Sequence, residues 1–353
     1  MPQRLKDLQE TARERAKVAQ ERLKELQERV QPLEEAARDA RARASEAARE
    51  YSAVFEERRK AAEEAMPPGL LTRVLSSLVG IPLLLALMFV EVNPNLPGVV
   101  FTGGVAVIAL LCAGEYFRAL RARFQPNASV AYVAVVILQF AAWNVSRGQV
   151  AQLLPILLVV LTIATLVLQV LRREQEPLSN LGVTFFGVVY IGWLLSYLVQ
   201  IRSIPGLLAP WGLPNLPMGA WLVLYLLLIT WLNDTGAYLV GARIGKTKLA
   251  PKLSPKKTVE GAIGGLVFAT LTAIGVGLWL KLPWQHTIFL GPLLGILGQV
   301  GDLCESALKR DLGIKDFGGI MPGHGGLLDR FDSILFTAPI AYYYLAYVLH
   351  QPK

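Results

Sequence analysis

Between Ser306 and Asp332 the sequence reads SALKRDLGIKDFGGIMPGHGGLLDRFD. Lys309, Arg310, Lys315 and Arg330 stand there among Asp311, Asp316, Asp329 and Asp332, with His324 between two glycines. Apolar runs long enough to cross a bilayer flank this island on both sides. Lipid-facing sequence cannot hold so much charge, so the island belongs in a polar cavity or just outside a membrane. The mixture suits metal and phosphate together. Carboxylates hold hard cations, Lys and Arg neutralise phosphate oxygens, and glycine lets backbone N–H groups come close.

A second stretch, Trp231 to Gly265, carries Asn233 and Asp234 inside the cytoplasmic end of an apolar run. A carboxylate at that depth costs several kcal/mol unless it has partners, so a functional role is the default reading and a structural ion pair the alternative. Lys252, Ser254, Lys256, Lys257 and Thr258 follow, with Pro251 and Pro255 between them. Attraction to anionic headgroups alone would explain lysines. It does not explain interleaved hydroxyls and prolines, so triphosphate binding is the favoured reading.

Upstream of the island, Asp302, Glu305, Ser306 and Lys309 share one helical face by the 3.6-residue period, with Arg310 beside Ser306. Asp329 and Asp332 share a face at spacing three. Asp302 and Asp329 each fall at a membrane–cytoplasm edge and are candidates to hold a divalent cation jointly. Mg²⁺ is the natural choice where phosphates complete the shell, and a second cation is open. Zinc is not indicated, because no Cys/His set exists and Cys112 and Cys304 are far apart. His324 is a candidate to bind a phosphate oxygen or move a proton, with a plain loop histidine as the alternative. The glycines fit neither a dinucleotide fingerprint nor a P-loop.

The elements that must position these residues are mostly apolar helices. The chain has 353 residues and a formal charge of +8. Residues 1–66 hold 15 basic and 15 acidic residues, so the excess charge lies in 67–353, in a few loops between apolar runs. Runs near the ~20 residues that cross a bilayer fall at about 72–92, 98–118, 128–146, 150–171, 181–201, 219–241, 260–280, 286–304 and 331–349. The expected fold is therefore all-α: a polytopic membrane bundle of about nine spans. No cleaved signal peptide is evident at the N-terminus. Basic residues crowd alternate loops, which places the charged stretches and the N-terminus on the cytoplasmic side. Residues 3–65 read as helix, with Leu5, Ala12, Ala19, Leu26 and Leu33 opening a heptad seam that Pro32 interrupts. A hairpin and a kinked, self-associating helix compete there. Met66-Pro67-Pro68-Gly69 closes this segment, so 1–66 and 67–353 are the expected domains.

These residues carry a resemblance. Ser306, Leu308, Lys309-Arg310, Lys315-Asp316, Gly318, Pro322, His324-Gly325-Gly326, Asp329-Arg330 and Asp332 resemble the signature of the phosphatidate cytidylyltransferases, with Met321 a mild departure. Asp234, Gly236-Ala237-Tyr238, Lys252, Ser254-Pro255, Lys257-Thr258 and Glu260-Gly261 resemble the family's upstream block. The resemblance runs from about Leu70 onward and excludes residues 1–66. It implies a nucleotidyltransferase that joins CTP and phosphatidic acid into CDP-diacylglycerol and pyrophosphate, in the inner (plasma) membrane. Asp302 and Asp329 would hold the metal, with Asp234 a further ligand or orienter. Lys309, Arg310 and Arg330 would grip phosphates, and Lys252, Ser254, Lys257 and Thr258 would meet CTP. The expected partners are CTP, phosphatidic acid, the bilayer and a second copy of the chain, with no nucleic acid. A CTP-dependent lipid kinase, an ion pathway through Asp234 and Asp302, and a scaffold built on the coiled coil are the rival readings.

Overall fold

A computed structural model describes residues 70–349, apart from 94, 147, 149–152, 173–175, 209, 211–215 and 321–324. The expected coiled coil or hairpin of residues 3–65 lies outside the described residues, and so does His324.

The described chain is helical, and its helices follow the apolar runs. They are α1 (Leu70–Phe89), α2 (Val99–Leu120), α3 (Ala128–Ser146), α4 (Leu153–Arg172), α5 (Pro177–Gly187), α6 (Leu194–Arg202), α7 (Met218–Ile244), α8 (Val259–Trp279), α9 (Trp284–Asp311) and α10 (Leu328–Tyr344). A π-helical segment, Val188–Trp193, joins α5 to α6 without a break, and a second, Leu345–Leu349, continues α10. Among the described residues, six helices are long and apolar enough to cross a membrane: α2, α3, α5 through α6, α7, α8 and α9. This is an all-α multi-pass membrane protein. Helices also stand in the three remaining expected spans, 72–92, 150–171 and 331–349: α1, α4 and α10 with its π-helical continuation.

Two small antiparallel hairpins interrupt the helices. β1 (Leu207–Leu208) pairs with β2 (Leu216–Pro217), and β3 (Lys248–Ala250) with β4 (Ser254–Thr258). The second hairpin is a departure from the loop expected at 242–259. Its register sets Lys248 opposite Thr258 and Ala250 opposite Ser254, with an irregularity between them.

Small residues set the closest packing. Without water to drive apolar helices together, close backbone approach does the work. One such approach is α7 against α8, where a side-chain carbon on Gly261 would sit 2.7 Å from the carbonyl of Ala237. Polar side chains then fasten the third helix. Gln299 of α9 donates to Asn233 Oδ1 of α7 at 3.2 Å and to the Ala262 carbonyl of α8 at 2.9 Å. In the other half, the π-helical turn leaves the Gly192 carbonyl for Gln139 of α3, which donates to it at 2.7 Å.

The charged loops share one end of the bundle. Arg123, between α2 and α3, lies 3.5 Å from Asp311 at the end of α9. Arg310 donates to the Leu253 carbonyl at the tip of the β3–β4 hairpin. The opposite end carries Arg202 paired with Glu91, and His286 bonded to the Tyr344 hydroxyl at 2.9 Å.

Candidate functional site

The last three turns of α9 supply the centre. Their helical period puts Asp302, Glu305, Ser306 and Lys309 on one face, as the sequence spacing predicts. Ser306 donates to Asp302 Oδ1 at 3.4 Å, and Lys309 Nζ lies 3.1 Å from Glu305 Oε1. Glu305 is fully buried and Lys309 nearly so. The helix stops by a turn the sequence prescribes. Gly313 adopts a left-handed conformation (φ +68°), the Gly313 N–H bonds the Arg310 carbonyl, and the Ile314 N–H bonds the Lys309 carbonyl. This is the glycine termination that redirects a chain sharply. It sends the backbone away from α9 into the loop that returns at α10.

α10 brings in Asp329 on its first turn. Asp329 Oδ1 accepts from Lys309 Nζ at 2.7 Å. Its other oxygen accepts the backbone N–H groups of Phe317 at 3.2 Å and Gly326 at 3.0 Å. Asp329 thus meets Lys309 and the loop, while Asp302, its expected partner on a metal, pairs with Lys257. One turn further along α10, Asp332 interacts electrostatically with Asp302 and Asp234 instead.

The β3–β4 hairpin and α7 close the other side. Along β4 side chains alternate in direction. Lys257 points inward and pairs with Asp302, with both side chains about one third exposed. Asp234 accepts a weak bond from Asn233 at 3.3 Å and interacts electrostatically with Asp302, Lys257 and Arg330. The structure therefore gathers Asp234, Asp302 and Asp332 near Lys257, Lys309 and Arg330, from four separate elements.

Other expected site residues are placed differently. Thr258 is buried, and its hydroxyl accepts the Gly261 N–H at 3.1 Å as the N-terminal cap of α8. That geometry serves the helix, because a capping hydroxyl satisfies an otherwise unpaired N–H. Arg310 donates to the Leu253 and Ile314 carbonyls, at 3.3 and 2.9 Å, and so ties the hairpin to the end of α9. Lys252 lies exposed at the hairpin tip and Lys315 exposed in the island, with Ser254 half-buried at the start of β4.

Two fully buried carboxylates and one half-buried amide lie outside the site members read from the sequence. Glu305 falls on the expected face but has no role there. Gln299 has no place in the sequence reading. Glu115 of α2 is fully buried and accepts the Leu328 N–H at 2.9 Å. Its signal was available: a carboxylate within an apolar run is expensive and marks a function. The same signal singled out Asp234.

Oxygen donors at a mouth of mixed charge suit a hard cation whose shell is completed by phosphates. Among the described residues no group of three or more His, Cys, Asp or Glu side chains forms a protein cage for a metal. The described residues suit a cation held by one or two carboxylates and shared with a bound phosphate.

Comparison with known proteins agrees with this chemistry. Residues 71–348 match the cytidylyltransferase family. The chain is 34% identical over 297 residues to a phosphatidate cytidylyltransferase of Synechocystis sp., covering 78% of this chain and 97% of that protein. It is 38% identical over 209 residues to the phosphatidate cytidylyltransferase of Bacillus subtilis, covering 59% of this chain and 71% of the relative. A phosphatidate cytidylyltransferase of Staphylococcus aureus is 32% identical over 273 residues, covering 76% of this chain and 95% of its own length.

Proposed function

The chain belongs to the cytidylyltransferase family, and on that premise we propose that it transfers the cytidylyl group of CTP to phosphatidic acid, giving CDP-diacylglycerol and pyrophosphate. The observation that carries this reading is the meeting of Asp302 with Lys257 and of Lys309 with Asp329 at one end of a membrane bundle.

The reaction needs little covalent help. A phosphatidate oxygen is already ionised, so it attacks the α-phosphorus of CTP without a strong base. The new P–O bond forms as the bond to the bridging oxygen breaks, and the electron pair leaves with pyrophosphate. Catalysis is then mostly positioning and neutralisation of negative charge. Lys257 and Ser254, on the hairpin, and Lys252 at its tip face the triphosphate. Arg330 and Lys315, on the island, meet the phosphates on the opposite side. Lys309 holds Asp329 in place and carries positive charge to the rear of the site. His324 lies in the same loop and is assigned to a phosphate contact or a proton. Thr258 and Arg310 serve through backbone, by fixing α8 and the hairpin.

Mg²⁺ would supply further neutralisation and orientation of the phosphates. Asp302, with Asp234 or Asp332, is the pair suited to hold it. Asp329 is better assigned to loop support, because both of its oxygens already accept N–H donors.

The finer organisation rests on sequence pattern. Nine spans would put the charged end and residues 1–66 on the cytoplasmic face of the inner membrane, as the basic loops require. Residues 1–66 are then a separate cytoplasmic segment, either a helical hairpin or a kinked helix that pairs two copies of the chain. Phosphatidate reaches the site sideways from the inner leaflet, with its headgroup at the level of Asp302.

Detergent-purified protein given CTP, phosphatidic acid and Mg²⁺ should release pyrophosphate, and omission of any one should stop it. CDP in place of pyrophosphate, or release that continues without the lipid, would refute cytidylyl transfer.

A further inference from the structure

Glu115 stands apart from both charged stretches. It lies near the C-terminal end of α2, is fully buried, and has one carboxylate oxygen, Oε1, without a hydrogen-bond partner among the described residues. A buried carboxylate is a poor choice for filling space, because it keeps its desolvation cost. What it offers is acceptor capacity, and the loop between α9 and α10 uses it. Oε2 accepts the Leu328 N–H at 2.9 Å, from a residue 213 positions away.

The loop also packs on this carboxylate. A side-chain carbon at Gly318 would run into Glu115, and one at Gly326 would sit 2.9 Å from Oε2. Gly318 is on the outgoing limb of the loop, and Gly326 and Leu328 are on the returning limb. Both limbs therefore close on one side chain. Asp329 does the same from the other side, through the N–H groups of Phe317 and Gly326. Two acidic side chains, one from α2 and one from α10, form a clasp at the neck of the loop.

We propose that Glu115 is a positioning residue for this loop: it fixes the neck so that Asp329 stays on Lys309 and Arg330 keeps its place over the phosphates. The proposal rests on the cytidylyltransferase reading for its effect on rate, though not for the clasp itself. Glycine is required at 318 and 326 because the carboxylates occupy the space that a side chain would need.

The test uses the full-length protein in detergent and reads two quantities. The first is pyrophosphate release, resolved into kcat and the KM for CTP. The second is amide hydrogen exchange in peptides covering residues 316–330, which does not depend on turnover. Glu115→Ala should lower kcat by about 100-fold, the scale of a small displacement of catalytic groups, with the KM for CTP little changed. Exchange at Phe317 to Leu328 should speed up, while that of α7 and α8 stays as in the parent. Glu115→Gln keeps an acceptor for Leu328 and should recover most of the rate. Gly318→Ala, with Glu115 intact, should reproduce the kcat loss and provides the test if Glu115→Ala does not fold. The double variant Glu115→Ala/Gly318→Ala should be no slower than Glu115→Ala, since the collision is gone. Parental kcat in Glu115→Ala, unchanged exchange in the loop, or losses that multiply in the double variant would overturn the proposal. A parent that turns over no CTP would sink the activity reading instead, and exchange would still decide the clasp.

Discussion

Replacing Lys309 with Met should be the most damaging single change at the site, and the structure says by how much. Lys309 is buried, and its ammonium meets Asp329 at 2.7 Å and Glu305 at 3.1 Å. Two carboxylates thus share one cation in a region from which water is excluded. Methionine keeps the length and most of the volume but leaves both acids uncompensated. Breaking a buried pair by removing one partner costs about 3–5 kcal/mol. The acids themselves are not equivalent. Glu305→Gln leaves the Lys309–Asp329 pair as a simple one-to-one contact and should cost at most about 1 kcal/mol, the net worth of an ordinary hydrogen bond. Asp329→Asn weakens the ammonium contact and also the acceptor for the Phe317 and Gly326 amides, and should cost about 2–3 kcal/mol. The expected order of loss is Lys309→Met, then Asp329→Asn, then Glu305→Gln. Thermal unfolding of the three variants in one detergent, alongside pyrophosphate release, measures it. Lys309→Met/Glu305→Gln should regain part of the stability lost by Lys309→Met alone and none of its activity. If Lys309→Met unfolds at the parental temperature, or if Glu305→Gln is the most damaging of the three, the buried charge balance described above is mistaken.

Other expectations concern individual roles. Asp302→Asn should abolish release at any Mg²⁺ concentration, and a variant that keeps a substantial Mg²⁺-dependent rate removes Asp302 from the metal site. Lys257→Ala should raise the KM for CTP and, by freeing Asp302 of its cation, change the Mg²⁺ concentration needed for half-maximal rate; titrating both ligands separates these effects. Thr258→Ala should cost about 1 kcal/mol through loss of the α8 cap while the KM for CTP stays near the parental value, whereas Thr258→Ser restores stability. A large rise in KM in Thr258→Ala would return that hydroxyl to the nucleotide. Arg310→Lys should weaken the hairpin more than the chemistry, seen as faster proteolysis near Leu253 with kcat only modestly reduced.

Much of the architecture was legible because membrane spans announce themselves by composition. The run read at 128–146 is α3 to the residue, and the 3.6-residue period placed Asp302, Glu305, Ser306 and Lys309 on one face as they stand in α9. What the period could not give is which neighbour each side chain takes. Asp329 and Asp332 share a face of α10, yet one turns to Lys309 and the loop while the other joins Asp302 and Asp234. That choice depends on how α9 and α10 approach, which no local pattern encodes. The β3–β4 hairpin was hidden for a related reason. Its prolines and lysines read as loop, and its short strands are fixed by the cap at Thr258, by Glu260 accepting the Lys246 and Thr247 amides, and by Arg310 at the tip. Glu115 stands alone in an apolar run and forms no cluster of charge, so no motif in the sequence marks it.

The π-helical turn at Val188–Trp193 has a consequence for insertions and deletions. A π turn holds one more residue than the α turn it interrupts, so the extra residue is absorbed within that turn and the α-helical positions on either side keep their directions. Removing one residue there should let α5 and α6 run on as a single α-helix, with Tyr197 still on the Tyr343 hydroxyl and Leu195 and Leu198 still buried, at the loss of the carbonyl at Gly192 that Gln139 uses. Removing one residue from the α-helical stretch beyond it would instead turn everything past the splice by about 100°, and the effect would be felt at the far end of the helix, where Arg202 meets Glu91.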